Sequence, residues 1–295
     1  DACCRLMAPL DEALYHYVMN CRKLHTDDTP VPVLAPGRKK TKTGRIWTYV
    51  RDDRNAGSSD PPAAWFAYSP DRQGKHPELH LRSFRGVLQA DAFAGYDRLF
   101  STSREGGVLT EAACWAHARR KIHDVYISSQ SATAEEALKR IGELYAIEAE
   151  IRGMPETERL AARQSRSAPL LASLHEWMVE KSATLSKKSR LGEAFTYALN
   201  QWDALCYYCR DGLAEPDNNA AERALRAVCL GKKNYIFFGS DHGGERGALL
   251  YGLIGTCRLN GIDPEAYLRH ILSVLPEWPS NRVGELLPWN VAIPA

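Results

Sequence analysis

The chain has 295 residues, enough for about two domain-sized units or for one large α/β domain carrying an insertion. With 44% hydrophobic and 25% charged residues, 21 Gly and 16 Pro, its composition is globular and excludes collagen-like, low-complexity and broadly disordered classes. Lys and Arg (38) nearly cancel Asp and Glu (36), so a net charge of +2 does not by itself mark a nucleic-acid binder. No apolar run approaches the roughly 18 residues of a membrane span, and the opening DACCRLMAPLDEA lacks the basic-then-apolar layout of a signal peptide. A soluble cytoplasmic protein with no membrane partner is expected. Eight irregularly spaced cysteines read as reduced thiols, and a chain opening on Asp instead of Met is compatible with a fragment.

Residues 1–22 form a lead-in helix, with Leu6, Leu10, Leu14 and Val18 four apart on one face. In KLHTDDTPVPVL the strand-like part is Lys23 to Thr29, because the two prolines mark an edge or exit beyond it; the carboxylates then sit at a strand end. GRIWTYVRD alternates Ile46, Thr48 and Val50 against Trp47 and Tyr49, and AWFAYS repeats that character after the turn-rich NAGSSDPP, so three successive strands are predicted. HPELHLRSF predicts a short helix, GVLQADAF a buried strand ending at Asp91, and EAACWA a strand running into the helical HARRKIHDVY. These elements make the first part of a core, residues 23–127. From 128 to 210 the sequence turns charged, Ala- and Leu-rich and nearly free of Gly, which predicts a helical insertion. The core resumes over 211–274. EPDNNAAERALRAV is a helix containing Glu222 with Asp217 and Asn218 as N-cap candidates, GGERGALLYGLIGTCRLNG a second closed by Gly261, and Asp263-Pro264 caps a third through about Val274. Residues 275–295 are a tail rich in Pro and Trp.

Three acidic residues stand out: Asp27 at the end of the first strand, Asp91 at the end of the central apolar strand, and Glu222 on the helix after the insertion. Carboxylates at strand ends and on an adjoining helix can converge at one sheet edge. Hard oxygen ligands so placed suit two Mg²⁺ ions in attack on a phosphodiester. With 36 acidic residues a chance triplet is easy, and each carboxylate taken alone reads as a cap or surface charge.

The stretches LHTDDTPVPVL, TKTGRIWTYVRDD, FRGVLQADAFAGYDRL, CWAHARRKIHD, EPDNNAAERALR, GKKNYIFFGSDHGGERGALLYGLIGTCRLNGIDPEAYL and ELLPWN, in that order, resemble the catalytic half of the insertion sequence sixty-six transposase family. The resemblance spans nearly the whole chain. It implies an α/β fold, a ribonuclease H-like mixed sheet flanked by helices and interrupted by an all-helical insertion between the second Asp and the Glu. It also implies that Asp27, Asp91 and Glu222 are a metal-holding DDE triad for DNA cleavage and strand transfer, with Mg²⁺ as cofactor and Mn²⁺ able to substitute. DNA is then the partner, with self-association in a synaptic complex, accessory transposition proteins, and recognition segments ahead of this region. Family members commonly read D-E-T where this chain has Asp27-Asp28-Thr29. The resemblance carries the catalytic role to Asp27, the position that matches the family's Asp; Asp28 is the alternative, and since neighbours on a strand face opposite sides the two do not share the role. The element order agrees: 64 residues separate Asp27 from Asp91, room for three strands and a helix, while the 131 from Asp91 to Glu222 leave a surplus that is the insertion. The alternative function is a non-catalytic remnant that only binds DNA or other proteins.

Local charge departs from the near-neutral total. Arg38, Lys39, Lys40, Lys42, Arg45, Arg51 and Arg54 against Asp52 and Asp53 give +5 over residues 38–54, whereas residues 131–160 sum to −3. The basic stretch is a DNA-binding candidate or a solvated hairpin. Arg119 and Arg120, beside Lys121, are a second candidate cluster, and Arg223, Arg226, Lys232 and Lys233 a third; an i,i+4 ion pair of Arg226 with Glu222 competes there. Tyr235, Phe237 and Phe238 are read as core aromatics in preference to a base-stacking platform. The resemblance gives Cys114-x-x-His117 an auxiliary active-site role, as a histidine near the phosphate or half of a zinc site completed by Cys206-x-x-Cys209. Two reduced cysteines on a helix is the preferred reading of the latter, and zinc is not expected. The absence of GxxxxGK[ST], HExxH and GxSxG disfavours ATP use, zinc proteolysis and α/β-hydrolase chemistry.

Overall fold

The structure, a computed structural model, describes residues 2–37, 39–186 and 188–292. Two helices open it, α1 (Ala2–Leu6) and α2 (Ala8–Met19), and the spacing of Leu10, Leu14 and Val18 puts all three on the buried face of α2. Then come β1 (Lys23–Val33), β2 (Lys42–Arg51) and β3 (Ala63–Ser69), each antiparallel to the next. After α3 (Lys75–His80), β4 (Val87–Gln89) returns parallel to β1, and β5 (Thr110–Ala112) lies parallel to β4. The result is a five-stranded mixed sheet of order β3-β2-β1-β4-β5.

Two strand limits differ from those expected. β1 does not end at Thr29 but continues through Pro30 and Pro32 to Val33, in register with β2 throughout. The carbonyls of Pro30 and Pro32 accept from Lys232 Nζ (2.8 Å) and the Phe238 N–H (2.9 Å), so both residues turn their backbone polar groups away from β2. The missing proline N–H groups therefore fall on the side where β4 has already ended, and no ladder bond is lost. Asp27 is thus inside β1 and not at its end. Conversely, β4 stops at Gln89, two residues short of Asp91.

Strand alternation splits the core between the two faces of the sheet. Trp47 and Tyr49 of β2 join Leu24, Leu88 and the buried side of α2 on one face, while Ile46 and Val50 join Val31, Val33 and Phe66 on the other. A run of helices follows: α4 (Trp115–Ser129), α5 (Ala132–Glu150), α6 (Glu156–Ala162), a π-helical turn (Arg163–Ser167), α7 (Ala168–Thr184), α8 (Arg190–Asn200) and α9 (Trp202–Cys206). Ser131 and Ser189 cap α5 and α8 through their hydroxyls. Ile122, Ile141, Leu144, Leu174, Met178 and Phe195 give these helices a core of their own, which reaches the sheet at Val87 and Ala112.

The chain then supplies α10 (Asn219–Tyr235), α11 (Asp241–Leu259) and α12 (Pro264–Val274). Leu225 and Val228 seat α10 on the Val31, Val33 and Ile46 face, and Thr256 of α11 exchanges two 3.1 Å hydrogen bonds with the backbone of Ala64 in β3. Helix α11 ends as expected: Gly261 takes φ 71°, and the N–H groups of Gly261 and Ile262 close on Arg258 and Cys257. Asp263 caps α12 by accepting from the Ala266 N–H at 2.7 Å.

A buried ionic network joins the helices to the sheet. Arg163, fully buried, donates to both oxygens of Glu148 (2.8 and 2.7 Å) and to the carbonyls of Tyr208, Asp211 and Ala214. Arg159 contacts Glu215 at 2.9 Å and Glu148 at 3.6 Å, and Lys23 of β1 contacts Asp53 at 3.0 Å and Glu215 at 3.9 Å. Three cations meet three anions out of water.

Candidate active site

The parallel ladder of β1 and β4 runs Lys23↔Val87, Leu24↔Leu88, His25↔Gln89. Asp91 follows the end of β4 by two residues, as Asp27 follows His25 in β1, and the two carboxylates are near enough for Asp91 to repel the Asp27 charge. By strand parity Asp27 shares a face with His25 and Thr29, and both of those meet α10: His25 Nδ1 lies 3.1 Å from Asn218 Oδ1, and Lys232 donates to Thr29 Oγ1 at 3.0 Å. Helix α10 therefore crosses over Asp27, and Glu222 in its first turn enters the same electrostatic neighbourhood.

Burial pushes the Asp27 carboxyl up to about 7; the Asp28 N–H, 2.7 Å from Oδ1, opposes the rise, and repulsion from Asp91, Asp28 and Glu222 adds to it. Asp91 is also raised, again chiefly by burial, with His117 and Arg72 acting against it. Asp28 is different. It points to the opposite face, where Arg45 (2.9 Å) and Arg72 (2.8 Å) clamp a side chain that is 1% exposed, and the Arg72 guanidinium stacks 3.8 Å above the Phe93 ring centroid. One strand thus presents one neutralised and one unneutralised aspartate.

His117 and Arg120 reach Glu222 from α4, with His117 Nε2 3.5 Å from Oε1 and Arg120 Nη2 3.5 Å from Oε2. Both contacts are long, and Glu222 Oε1 and His117 Nδ1 are buried without a hydrogen-bond partner. Because Glu222 turns toward α4, it makes no ion pair with Arg226 among the described residues. Cys114, three residues before His117, does other work: its buried sulfur accepts the Asn218 N–H at 3.2 Å, and burial pushes its thiol up to about 11. Among the described residues no three His, Cys, Asp or Glu side chains meet closely enough to hold an ion, which applies to the triad and to Cys114, His117, Cys206 and Cys209 alike. The unpartnered Glu222 oxygen and an Asp27 carboxylate held by one N–H fit a hard cation chemically.

Two positioning residues went unmarked in the sequence reading. Asn218 precedes α10, but its side chain makes no capping bond. Instead Nδ2 donates to the Thr26 carbonyl at 2.8 Å, leaving Oδ1 to accept from His25 Nδ1, which must carry the proton; burial holds that imidazole near 3 and neutral. Gln89 bonds Glu215 in both directions, Nε2 to its carbonyl and Oε1 from its N–H. Together they fix the segment before Glu222 to β1 and β4. Asn218 was visible in DNNAAER only as an N-cap; Gln89 left no signal.

The basic candidates divide. Arg38 lies outside the described residues. Arg45 is spent on Asp28, Lys42 on Asp241 (2.6 Å) and Lys232 on Thr29 and Pro30, so these three charges serve the fold. Lys39, Lys40, Arg119, Arg223, Arg226 and Lys233 are exposed and have no ion pair among the described residues. Arg119 and Arg120 line a groove of about 530 Å³ between α4 and α5, with His123 and Tyr145. Arg223 and Arg226 rim another of about 640 Å³ with Arg54 and Arg258. The expected core role of the aromatics after α10 does not hold for Phe237, which is 39% exposed beside an Ile236 that is 69% exposed.

Sequence comparison supplies the class to which this architecture belongs, that of the transposases. The chain belongs to the Transposase IS66 family, whose family model matches residues 1–246, and the IS66 C-terminal element matches residues 252–289. Relatives in Sinorhizobium fredii include uncharacterized protein y4hP, 41% identical over 96% of this chain and 53% of its own length, and uncharacterized protein y4jD, 36% identical over 96% and 56%. The chain spans about half the length of these curated relatives. No described helix is long and apolar enough to cross a membrane.

Proposed function

We propose that the chain is the catalytic part of a DDE transposase, with a ribonuclease H-like core (residues 23–127 and 211–274) interrupted by a helical insertion (128–210). Asp27, Asp91 and Glu222 are its triad. The observation that supports this reading is that Asp27, two residues past the paired His25 of β1, is raised by burial and by repulsion from Asp91 and from Glu222 of α10.

The three carboxylates would hold Mg²⁺, or Mn²⁺ in its place; the bound metal makes a water or 3′-hydroxyl oxygen a better nucleophile and stabilises the leaving oxygen. The rest falls to the protein's own groups. His117 and Arg120 would orient Glu222, while Arg45 and Arg72 hold Asp28 on the opposite face of β1. Lys39, Lys40, Arg119, Arg223, Arg226 and Lys233, exposed and without ion pairs among the described residues, would neutralise DNA phosphates. Self-association on paired element ends and accessory proteins belong to the same proposal.

The test is incubation of the purified chain with element-end DNA and Mg²⁺ or Mn²⁺ beside its Asp91→Ala variant. Metal-dependent cleavage by the wild type alone is expected. Equal cleavage by both, or DNA binding without cleavage by either, would leave a binding protein derived from such an enzyme.

A further inference from the structure

The turn after α10 holds a residue type that its backbone disfavours. Ile236 sits at φ 63°, ψ −54°, and the Phe237 N–H closes on the Tyr235 carbonyl at 2.6 Å, a three-residue γ-turn of the positive-φ kind that is rare and strained. For a β-branched side chain such a φ is an outlier, and strain of this sort collects where a site needs it. Burial does not compensate here, since Ile236 is 69% and Phe237 39% exposed. Backbone clamps hold the turn instead. Phe238 donates to the Pro32 carbonyl (2.9 Å) and accepts from the Leu34 N–H (2.8 Å), locking the turn onto the end of β1.

The same clamps bring positive charge to the turn. The connection from β1 to β2 leaves at Leu34, bonded to Phe238, and returns at Lys42, paired with Asp241, and it carries the exposed Lys39 and Lys40. Lys233 is exposed in the last turn of α10, just before Ile236. Six strand residues separate Asp27 from Val33, about 20 Å at roughly 3.3 Å each, or about six base-pair steps of duplex DNA.

We propose that the Ile236–Phe237 turn is an apolar wedge that enters between base pairs of duplex DNA about six steps from the acidic edge, while Lys39, Lys40 and Lys233 hold the flanking phosphates. This rests on the reading of that edge as the site of DNA cleavage. Inserted apolar side chains partly unstack a base step and kink the duplex, and a turn already fixed by its clamps loses little freedom on insertion. The surrounding lysines favour a polyanion over an apolar protein surface as the occupant.

The test uses the purified chain and 30-base-pair duplexes carrying one 2-aminopurine at successive positions, whose fluorescence rises when the base unstacks. Wild type should bind with a rise at one or two positions. An Ile236→Gly, Phe237→Ser variant should lose the rise while keeping the salt dependence of its binding. Glycine accepts positive φ, so an unchanged or higher melting temperature checks that this variant folds. A Lys39→Ala, Lys40→Ala, Lys233→Ala variant should lose about tenfold or more in affinity near 50 mM salt. Wild-type binding and cleavage with no rise at any position overturns the wedge and leaves the active site standing. No duplex binding at low salt overturns both. Self-association that is lost in the turn variant, with no fluorescence rise in wild type, makes the turn a contact between copies and overturns the wedge.

Discussion

Two groups of charges lie within one sheet's reach and are treated in opposite ways. In the network of Lys23, Arg159, Arg163, Asp53, Glu148 and Glu215, cations and anions balance and most contacts are 2.7–3.0 Å. Around Asp27, Asp91 and Glu222 the ion-pair contacts are only those of His117 and Arg120 with Glu222, each at 3.5 Å, and burial pushes Asp27 up to about 7. Both places cost desolvation. Ion pairing within the chain offsets that cost chiefly in the first, which is why the proposed function assigns an outside cation to the second.

That contrast can be broken from either side. The largest effect is expected at the edge: Asp27→Ala or Glu222→Ala should lower metal-dependent cleavage by roughly a thousandfold, measured on nicked product, with the melting temperature held or raised. Next comes Arg163→Met, which strands Glu148 among buried groups. It should cost about 3–5 kcal/mol, seen as a melting temperature lower by roughly 10 °C. Should that variant melt like wild type, the network is not the tie described above.

A smaller effect of opposite sign is expected from Asp27→Asn. The folded protein binds the Asp27 proton more tightly than the unfolded chain, so stability falls as pH rises from about 4 to about 7 and is level above. Removing the charge should therefore stabilise by about 1–3 kcal/mol at pH 8 and by little at pH 4.5. Urea titrations at the two pH values check this, and an equal gain at both would remove the raised carboxyl. The smallest effect separates the CxxH pair: Cys114→Ala should cost about 1 kcal/mol and change cleavage less than threefold, whereas His117→Ala should reduce cleavage by about tenfold or more.

Much of this was legible from local pattern. Parity puts Asp27 and Asp28 on opposite faces of β1, and Gly261 and Asp263 mark helix ends that the structure shows. What stayed hidden depends on partners far along the chain. The prolines of β1 were read as an exit because which side of the strand has a neighbour is a tertiary fact. Lys42 and Lys232 looked like free charge until Asp241 and Thr29, about 200 residues away, came beside them. The aromatics at 235–238 looked like core because composition carries no sign of the backbone that turns Ile236 and Phe237 outward.

The pairing of Gln89 with Glu215 bears on when the acidic edge comes into being. Glu222 is encoded 131 residues after Asp91, and the segment that seats it can dock on β4 only after the intervening helices have been made. At roughly 5–20 residues per second of synthesis, on the order of ten seconds separate the second carboxylate from the third. A chain synthesised only as far as Asp91 therefore carries two of the three carboxylates and none of the helix that covers them, and the third joins only once α10 has been made.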